Sequence, residues 1–244
     1  VLEKRPAMMD PEIKSRLRHV STATVSLQLL KRGIRRVAMA GVKPLLAGQE
    51  RLVGPAYTLR FLPLREDLAD PSVLAAPGYG PRQVIEEAPA DAVLVIEARG
   101  VTTAGVVGDI LAARLTYRGV AGLVTDGAVR DGAGVAATGL AVWCAGSAAP
   151  ASLGEHVGGD VQVAIGCGNV TVVPDDIIVA DADGVVVVPA ALAGEIASAA
   201  LDQERFEAWV QTKVAAGKPT IGLYPPNTET QAEYEAWLAE KDRT

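Results

Sequence analysis

Two short runs, residues 92–97 (AVLVIE) and 122–126 (GLVTD), are apolar almost throughout, and between them lies a glycine-initiated segment of helical character, residues 105–118 (GVVGDILAARLTYR). A strand that alternates apolar and polar residues has one wet face. A strand that is apolar at every position has none, so each run needs cover on both sides. A parallel pair joined by a crossover helix supplies that cover, and residues 92–126 read as one βαβ unit. Whatever else the chain does, it must enclose this pair between two layers. That requirement points to a mixed α/β class.

The remaining segments fit around that unit. Residues 21–32 (STATVSLQLLKR) open on N-capping Ser and Thr, continue at helical spacing and reach Gly33, which can close the helix. Residues 52–61 (LVGPAYTLRF) read as a strand. Residues 62–81 form a polar, proline-containing insertion without a period, the kind of long loop that usually carries function or motion. Short strands are expected at 141–144, 161–165, 170–173, 177–180 and 185–188. Pro174-Asp175-Asp176 and Asp181-Ala182-Asp183-Gly184 are expected to make hairpin-like turns between the last three. Residues 190–216 form a long Ala-rich amphipathic helix, and the tail has a Tyr-Pro-Pro-Asn break before a final charged helix. We read a single domain over 1–216, with 217–244 as a C-terminal arm that packs on a neighbouring subunit.

Charge and composition narrow the function. The 23 Lys and Arg against 29 Asp and Glu give a net charge of −6, and no basic stripe is present. The densest basic stretch, Lys31-Arg32-Gly33-Ile34-Arg35-Arg36, reads as a solvated face, so nucleic acid is not an expected partner. Only two cysteines occur, Cys144 and Cys167, in β-like stretches away from His19 and His156. They are too few for a disulfide framework and too isolated for a zinc site, and read as buried thiols. The first ten residues lack the apolar core of a secretory signal, and no stretch reads as a membrane span. The expected location is the cytoplasm.

The segment from Gly105 to Asp131 holds the candidate chemistry. In a βαβ unit the turns at the carboxyl ends of the parallel strands are neighbours, so Asp109 and Asp131 can approach one another. Free N–H groups of Ile110 and Leu111 would point out of the helix start, where the dipole favours an anion. Gly105 and Gly108 would let a ligand approach the backbone. Arg130 would serve as a planar cation, and Asp131 as a hard oxygen ligand for Mg²⁺ or Mn²⁺. On these residues alone, a plainer alternative stays open. Asp109 could be just a helix cap, with Asp126, Arg130 and Asp131 as turn residues.

Four segments resemble the RraA-like family of 4-hydroxy-4-methyl-2-oxoglutarate aldolases, oxaloacetate decarboxylases and ribonuclease E regulators. They are STATVSLQLL (21–30), GPAYTLRF (54–61), the stretch 109–131 and PDDIIVADADGVVVVP (174–189). Catalytic members share an Asp followed, after twenty residues, by Arg-Asp, which Asp109, residues 110–129 and Arg130-Asp131 reproduce. The resemblance implies an enzyme cleaving carbon–carbon bonds of small 2-oxo acids. Asp131 would bind the metal and Asp109 would hold water in its shell. Gly108, Asp109, Ile110 and Leu111 would cradle the substrate carboxylate, with Arg130 on the 2-oxo oxygen. It also implies a β/β/α sandwich like the swivelling phosphohistidine domain, assembled as a homotrimer or homohexamer. One departure stands out: Ser26-Leu27-Gln28 replaces an acidic residue found early in the first helix of many relatives. Glu204 or Glu207 is the candidate to replace it from a neighbouring subunit.

Three rivals remain. Gly132-Ala133-Gly134-Val135-Ala136-Ala137, with Glu155 about twenty residues on, fits a dinucleotide fingerprint, but Val129-Arg130-Asp131 separates it from its strand. A non-catalytic regulator with a protein partner is the second. A serine hydrolase is the weakest, since no Gly-x-Ser-x-Gly occurs. The lysines, such as Lys31, Lys43 and Lys213, fall on polar faces, so no Schiff base is expected.

Overall fold

The computed structural model describes residues 9–69, 72 and 78–241. The first eight residues and part of the 62–81 insertion therefore lie outside the described residues. The chain opens with helices α1 (Pro11–Arg18) and α2 (Thr22–Lys31), strands β1 (Lys43–Pro44) and β2 (Leu52–Pro63), and helix α3 (Gly80–Glu87). Strand β3 (Val93–Glu97), helix α4 (Asp109–Tyr117), strands β4 (Gly122–Thr125) and β5 (Ala128–Val129), and helix α5 (Gly132–Ala137) follow. Seven strands come next: β6 (Val142–Cys144), β7 (Gly146–Ser147), β8 (His156–Val161), β9 (Ile165–Cys167), β10 (Val170–Val172), β11 (Ile177–Ala180) and β12 (Val185–Val188). Helices α6 (Ala193–Ala215) and α7 (Thr228–Lys241) complete the described chain.

The main sheet runs β1-β6-β4-β3-β2-β11-β12, with β8 also paired to β2. Its centre, β2-β3-β4-β6, is parallel, and the other pairings are antiparallel. The apolar runs are explained by what covers them. In β3, Leu94 and Ile96 pack under α3, α4 and α5, whereas Val93 and Val95 face the opposite way. That second face meets Ile178, Ala180, Val185 and Val187 of β11 and β12, together with β9 and β10. The alternate residues of β11 and β12, Ile177, Val179, Val186 and Val188, lie under α1, α2 and α6. One sheet can cover its own inner face only by curling, and residues 37–44 nearly close the roll. Met39 N–H donates to Val185 O (2.9 Å) and Val187 N–H to Val37 O (2.8 Å), after which Lys43 pairs with Cys144 of β6. The fold is mixed α/β, with a barrel-like sheet between helical layers.

Most sequence-expected elements occur with small shifts, and α2 has the expected cap: Ser21 Oγ accepts from Thr24 N–H (3.1 Å). Three expectations need correction. Residues 161–165 are not a strand but the junction of β8 and β9, where Gln162 turns at φ 56°. The Pro174-Asp175-Asp176 turn is not a hairpin, because β10 pairs with β9 while β11 pairs with β2 and β12; only the turn at 181–184 joins a hairpin. Helix α3 was not anticipated. Both cysteines are buried and free, and burial pushes both thiols above the usual range. No helix among the described residues is long and apolar enough to cross a membrane. Within the chain the arm folds back on α6, where Phe206, Trp209 and Val210 cluster with Leu223 and Tyr234.

Candidate functional site

Strands β3 and β4 run in register from Val93 opposite Gly122 to Ile96 opposite Thr125, so their carboxyl ends finish side by side. The two loops that leave there are joined by backbone hydrogen bonds: Val106 N–H to Ala128 O and Arg130 N–H to Val107 O, each 2.9 Å. Gly105 makes this possible. A Cβ there would lie 2.5 Å from Arg130 N and 2.8 Å from Arg130 Cα, and neither backbone atom can give way. Gly105 also lines the hollow, but what its missing side chain visibly makes room for is the chain.

Asp109 begins α4 with Gly108 as its cap residue. Its Cβ would be met at 2.9 Å by any Cβ added to Gly134, so glycine at that position seats α5 against Asp109. Gly132 likewise lies close to Ser147. The glycines of the dinucleotide-like stretch thus serve chain packing. Asp131 precedes α5 in the left-handed region (φ 54°, ψ 46°), a conformation that costs a non-glycine residue energy and that Asp tolerates better than most. Its Oδ2 lies 3.2 Å from Arg130 Nε. Both side chains are about half exposed (47% and 48%), so this pair orients more than it stabilises.

These residues line one hollow of about 280 Å³, a volume suited to a small metabolite. All six site residues expected from the sequence, Gly108, Asp109, Ile110, Leu111, Arg130 and Asp131, are on its wall. One detail differs. The Ile110 N–H is not free, since it donates to Asp109 Oδ1 (2.8 Å), whereas the Leu111 N–H has no acceptor among the described residues. A short acidic side chain at a helix start closes on its own next N–H for local reasons.

The opposite wall escaped the sequence reading. It consists of Tyr79, Pro81 and Arg82 at the start of α3, with residues 151–153. The first turn of α3 sits on β8 because β8 carries two glycines. A Cβ on Gly158 would meet Pro81 Cδ at 2.6 Å and Tyr79 Cε2 at 2.7 Å, and one on Gly80 would meet Gly159 O at 2.5 Å. The Gly158-Gly159 pair, opposite Tyr79-Gly80-Pro81, was the available signal. Burial raises the Tyr79 phenol above its usual range, and the nearby Arg82 charge partly offsets this.

As a donor set, the hollow offers two carboxylates, and no group of three or more His, Cys, Asp or Glu placed to hold a metal ion occurs among the described residues. Structural zinc needs four such ligands. Mg²⁺ is commonly held through one or two carboxylates, with water and substrate oxygens completing its shell, so the residues fit a hard divalent ion.

Glu204 and Glu207, the candidates to replace the missing family acid, both lie on α6. Glu204 accepts from Ser21 N–H and Ser21 Oγ, both 2.8 Å, and so caps α2. Burial would raise its carboxyl, but hydrogen bonds from Ser21 and Thr24 outweigh it and hold the group below the usual range. Glu207 accepts from Tyr224 OH (2.7 Å) and Gln203 Nε2 (2.8 Å). Both acids are engaged within their own chain. Helix α2 itself packs with α6, in the layer across the roll from α4.

A family model described as RraA-like, Aldolase/RraA, matches residues 22–187. A Halalkalibacterium halodurans protein named provisionally as a 4-hydroxy-4-methyl-2-oxoglutarate aldolase is 37% identical over 148 residues, covering 61% of this chain and 64% of that protein. Protein DlpA of Legionella pneumophila is 30% identical over 207 residues, 85% of this chain but 32% of DlpA. The matched stretch thus spans less than two thirds of either relative. The solved structure of Streptomyces coelicolor RraAS2, described as an unusual member of the RNase ES inhibitor RraA family, superposes with a TM-score of 0.76 at 35% identity, covering 85% of this chain and 99% of that one.

Proposed function

The chain belongs to the RraA-like family, and from that premise we propose that it is a divalent-metal-dependent carbon–carbon lyase acting on small 2-oxo acids, by aldol cleavage, decarboxylation or both. One observation carries the reading: Asp109, Arg130 and Asp131 share a single small hollow beside an unoccupied backbone donor, the Leu111 N–H. A family relationship alone would not distinguish a lyase from a regulator, and this arrangement is what favours the lyase.

Each residue then has a task. Asp131 would hold Mg²⁺ or Mn²⁺, with Arg130 fixing the orientation of its carboxylate. When bound, such an ion supplies Lewis acidity next to the 2-oxo group. The Leu111 N–H at the start of α4 binds the substrate carboxylate, favoured by the helix dipole. As the carbon–carbon bond breaks, negative charge gathers on the 2-oxo oxygen, and Arg130 donates to it. Asp109 spends Oδ1 on the Ile110 N–H and keeps Oδ2 to hold the water that returns a proton to the enolate carbon. The test is turnover of oxaloacetate and 4-hydroxy-4-methyl-2-oxoglutarate with Mg²⁺, with Mn²⁺ and with EDTA. Turnover that requires the ion and disappears in Asp131→Ala supports the reading; turnover indifferent to EDTA refutes it.

The likeness to RraAS2, a relative of RNase inhibitors, favours one alternative, a non-catalytic regulator that binds a ribonuclease or other protein. A protein inert with either ion that captures such a ribonuclease would establish it. To the lyase reading we add a β/β/α layering like that of the swivelling phosphohistidine domain, assembly as a homotrimer or homohexamer, and a cytoplasmic setting without nucleic-acid or membrane partners. The net charge of −6 supports the last of these. Light scattering tests the assembly.

A further inference from the structure

The hollow contains two arginines in different electrostatic situations. Arg130 is countered by Asp131 at 3.2 Å. Arg82, on the facing wall, forms no ion pair or hydrogen bond through its guanidinium with any other described residue. The neighbouring acid, Glu86 one turn along α3, pairs with Arg114 of α4 at 2.7 Å and acts on Arg82 only through space. That bridge also sets the relation of the two helices. Arg82 lies one turn before Glu86, and Ile110 one turn before Arg114, so the first turns of α3 and α4 open together on the hollow.

The surroundings of Arg82 suit an anion. Tyr79 and Ser152 line the same wall, and no carboxylate of the facing wall pairs with the guanidinium. Both walls also carry apolar side chains, Leu111 on one and Pro81 and Leu153 on the other. A ligand that fits has one acidic end for Arg130 and the Leu111 N–H, a short carbon chain against these apolar side chains, and a second acidic end for Arg82. We infer that Arg82 is the specificity-determining residue of this site, reading a carboxylate at the far end of a 2-oxo acid and so selecting 2-oxo diacids over monoacids of equal length. The inference deepens the lyase reading, since it assumes a 2-oxo acid in the same hollow, but it concerns binding and not bond cleavage.

The experiment compares binding of 2-oxoglutarate and 2-oxopentanoate, which differ only in a carboxylate against a methyl at the far end. Calorimetry in the presence of Mg²⁺ measures both on the full chain, on Arg82→Leu and on Arg82→Lys. The chain should bind the diacid roughly 10- to 100-fold more tightly, the range for a hydrogen bond to a charged group. Arg82→Leu should erase that preference without weakening 2-oxopentanoate, and Arg82→Lys should restore part of it. A chain without preference, or an Arg82→Leu variant that weakens both ligands alike, overturns the inference. Turnover of oxaloacetate, followed in parallel, keeps the two readings apart. A diacid preference lost in Arg82→Leu without any turnover sinks the lyase and leaves Arg82 its role. Metal-dependent turnover without a preference does the reverse.

Discussion

The two walls of the hollow are built in different ways. The wall bearing Asp109, Arg130 and Asp131 hangs from β3 and β4, which are buried on both faces, and its loops are joined backbone to backbone, with Gly105 pressed against the main chain of Arg130. The wall bearing Tyr79, Pro81 and Arg82 rests on β8, which pairs with β2, and meets it through ring atoms at Gly158 and through the Gly159 carbonyl at Gly80. At Gly105 an added Cβ meets backbone atoms held by hydrogen bonds, which cannot retreat, whereas at Gly158 it meets ring atoms, which can shift by a few tenths of an ångström. On the lyase reading, the chemistry, which tolerates little misplacement, belongs to the wall joined backbone to backbone, and selection to the wall whose side chains can be exchanged.

That contrast can be tested by substitution. Asp131→Ala should have the largest effect, with metal-dependent turnover falling to background and Mg²⁺ binding lost by calorimetry; a variant that still binds the ion with wild-type affinity removes Asp131 from its role. Arg130→Met should lower kcat roughly 10²- to 10³-fold, as loss of one donor to a developing oxyanion does, with little change in secondary structure by circular dichroism. Next comes Gly105→Ala, which forces a Cβ against the Arg130 backbone and should destabilise by about 1–3 kcal/mol in urea unfolding. Gly158→Ala should cost less, about 1 kcal/mol at the bottom of that overpacking range, and should raise KM for a diacid more than it lowers kcat. Equal costs for the two glycine variants would break the distinction between the walls.

The smallest effect concerns His156, buried beneath the far wall's support on β8. Burial lowers its pKa below the usual 6.5, and the Arg99 charge adds to this. Its Nδ1 faces Arg99 Nη2 at 3.2 Å and its Nε2 is buried without a partner, so the folded state holds the ring neutral. With a depressed folded pKa, the stability it contributes is present above the unfolded value and lost as pH falls below 6.5 through the folded one. The thermal midpoint should therefore decline over that acid window, and His156→Gln should flatten the decline. An unchanged slope would remove His156 as its source.

How much of this was legible depended on the range of the interactions. The near wall could be read because each of its parts has a local signature: two apolar runs, a helix start after glycine, and Asp109 spaced from Arg130-Asp131 within one βαβ unit. The far wall could not, because Tyr79-Gly80-Pro81 is unremarkable until Gly158 and Gly159 are known to lie opposite. Ile110 shows the limit on a smaller scale. Its N–H is a free donor in an ideal helix start, yet one torsion of the Asp109 side chain occupies it.

By itself the sequence determined the class of fold, the βαβ unit and the cap that begins α2, since periodicity, capping and a crossover connection act over a few turns of chain. Tertiary structure alone decided that the sheet rolls nearly shut through residues 37–44, that β9 pairs with β10 and not across Pro174-Asp175-Asp176, and that Arg82 and Arg130 line one hollow. Each of these depends on which distant backbone or side chain a segment meets. A donor or an apolar face is written in the local sequence, but its partner is chosen only when the whole chain packs.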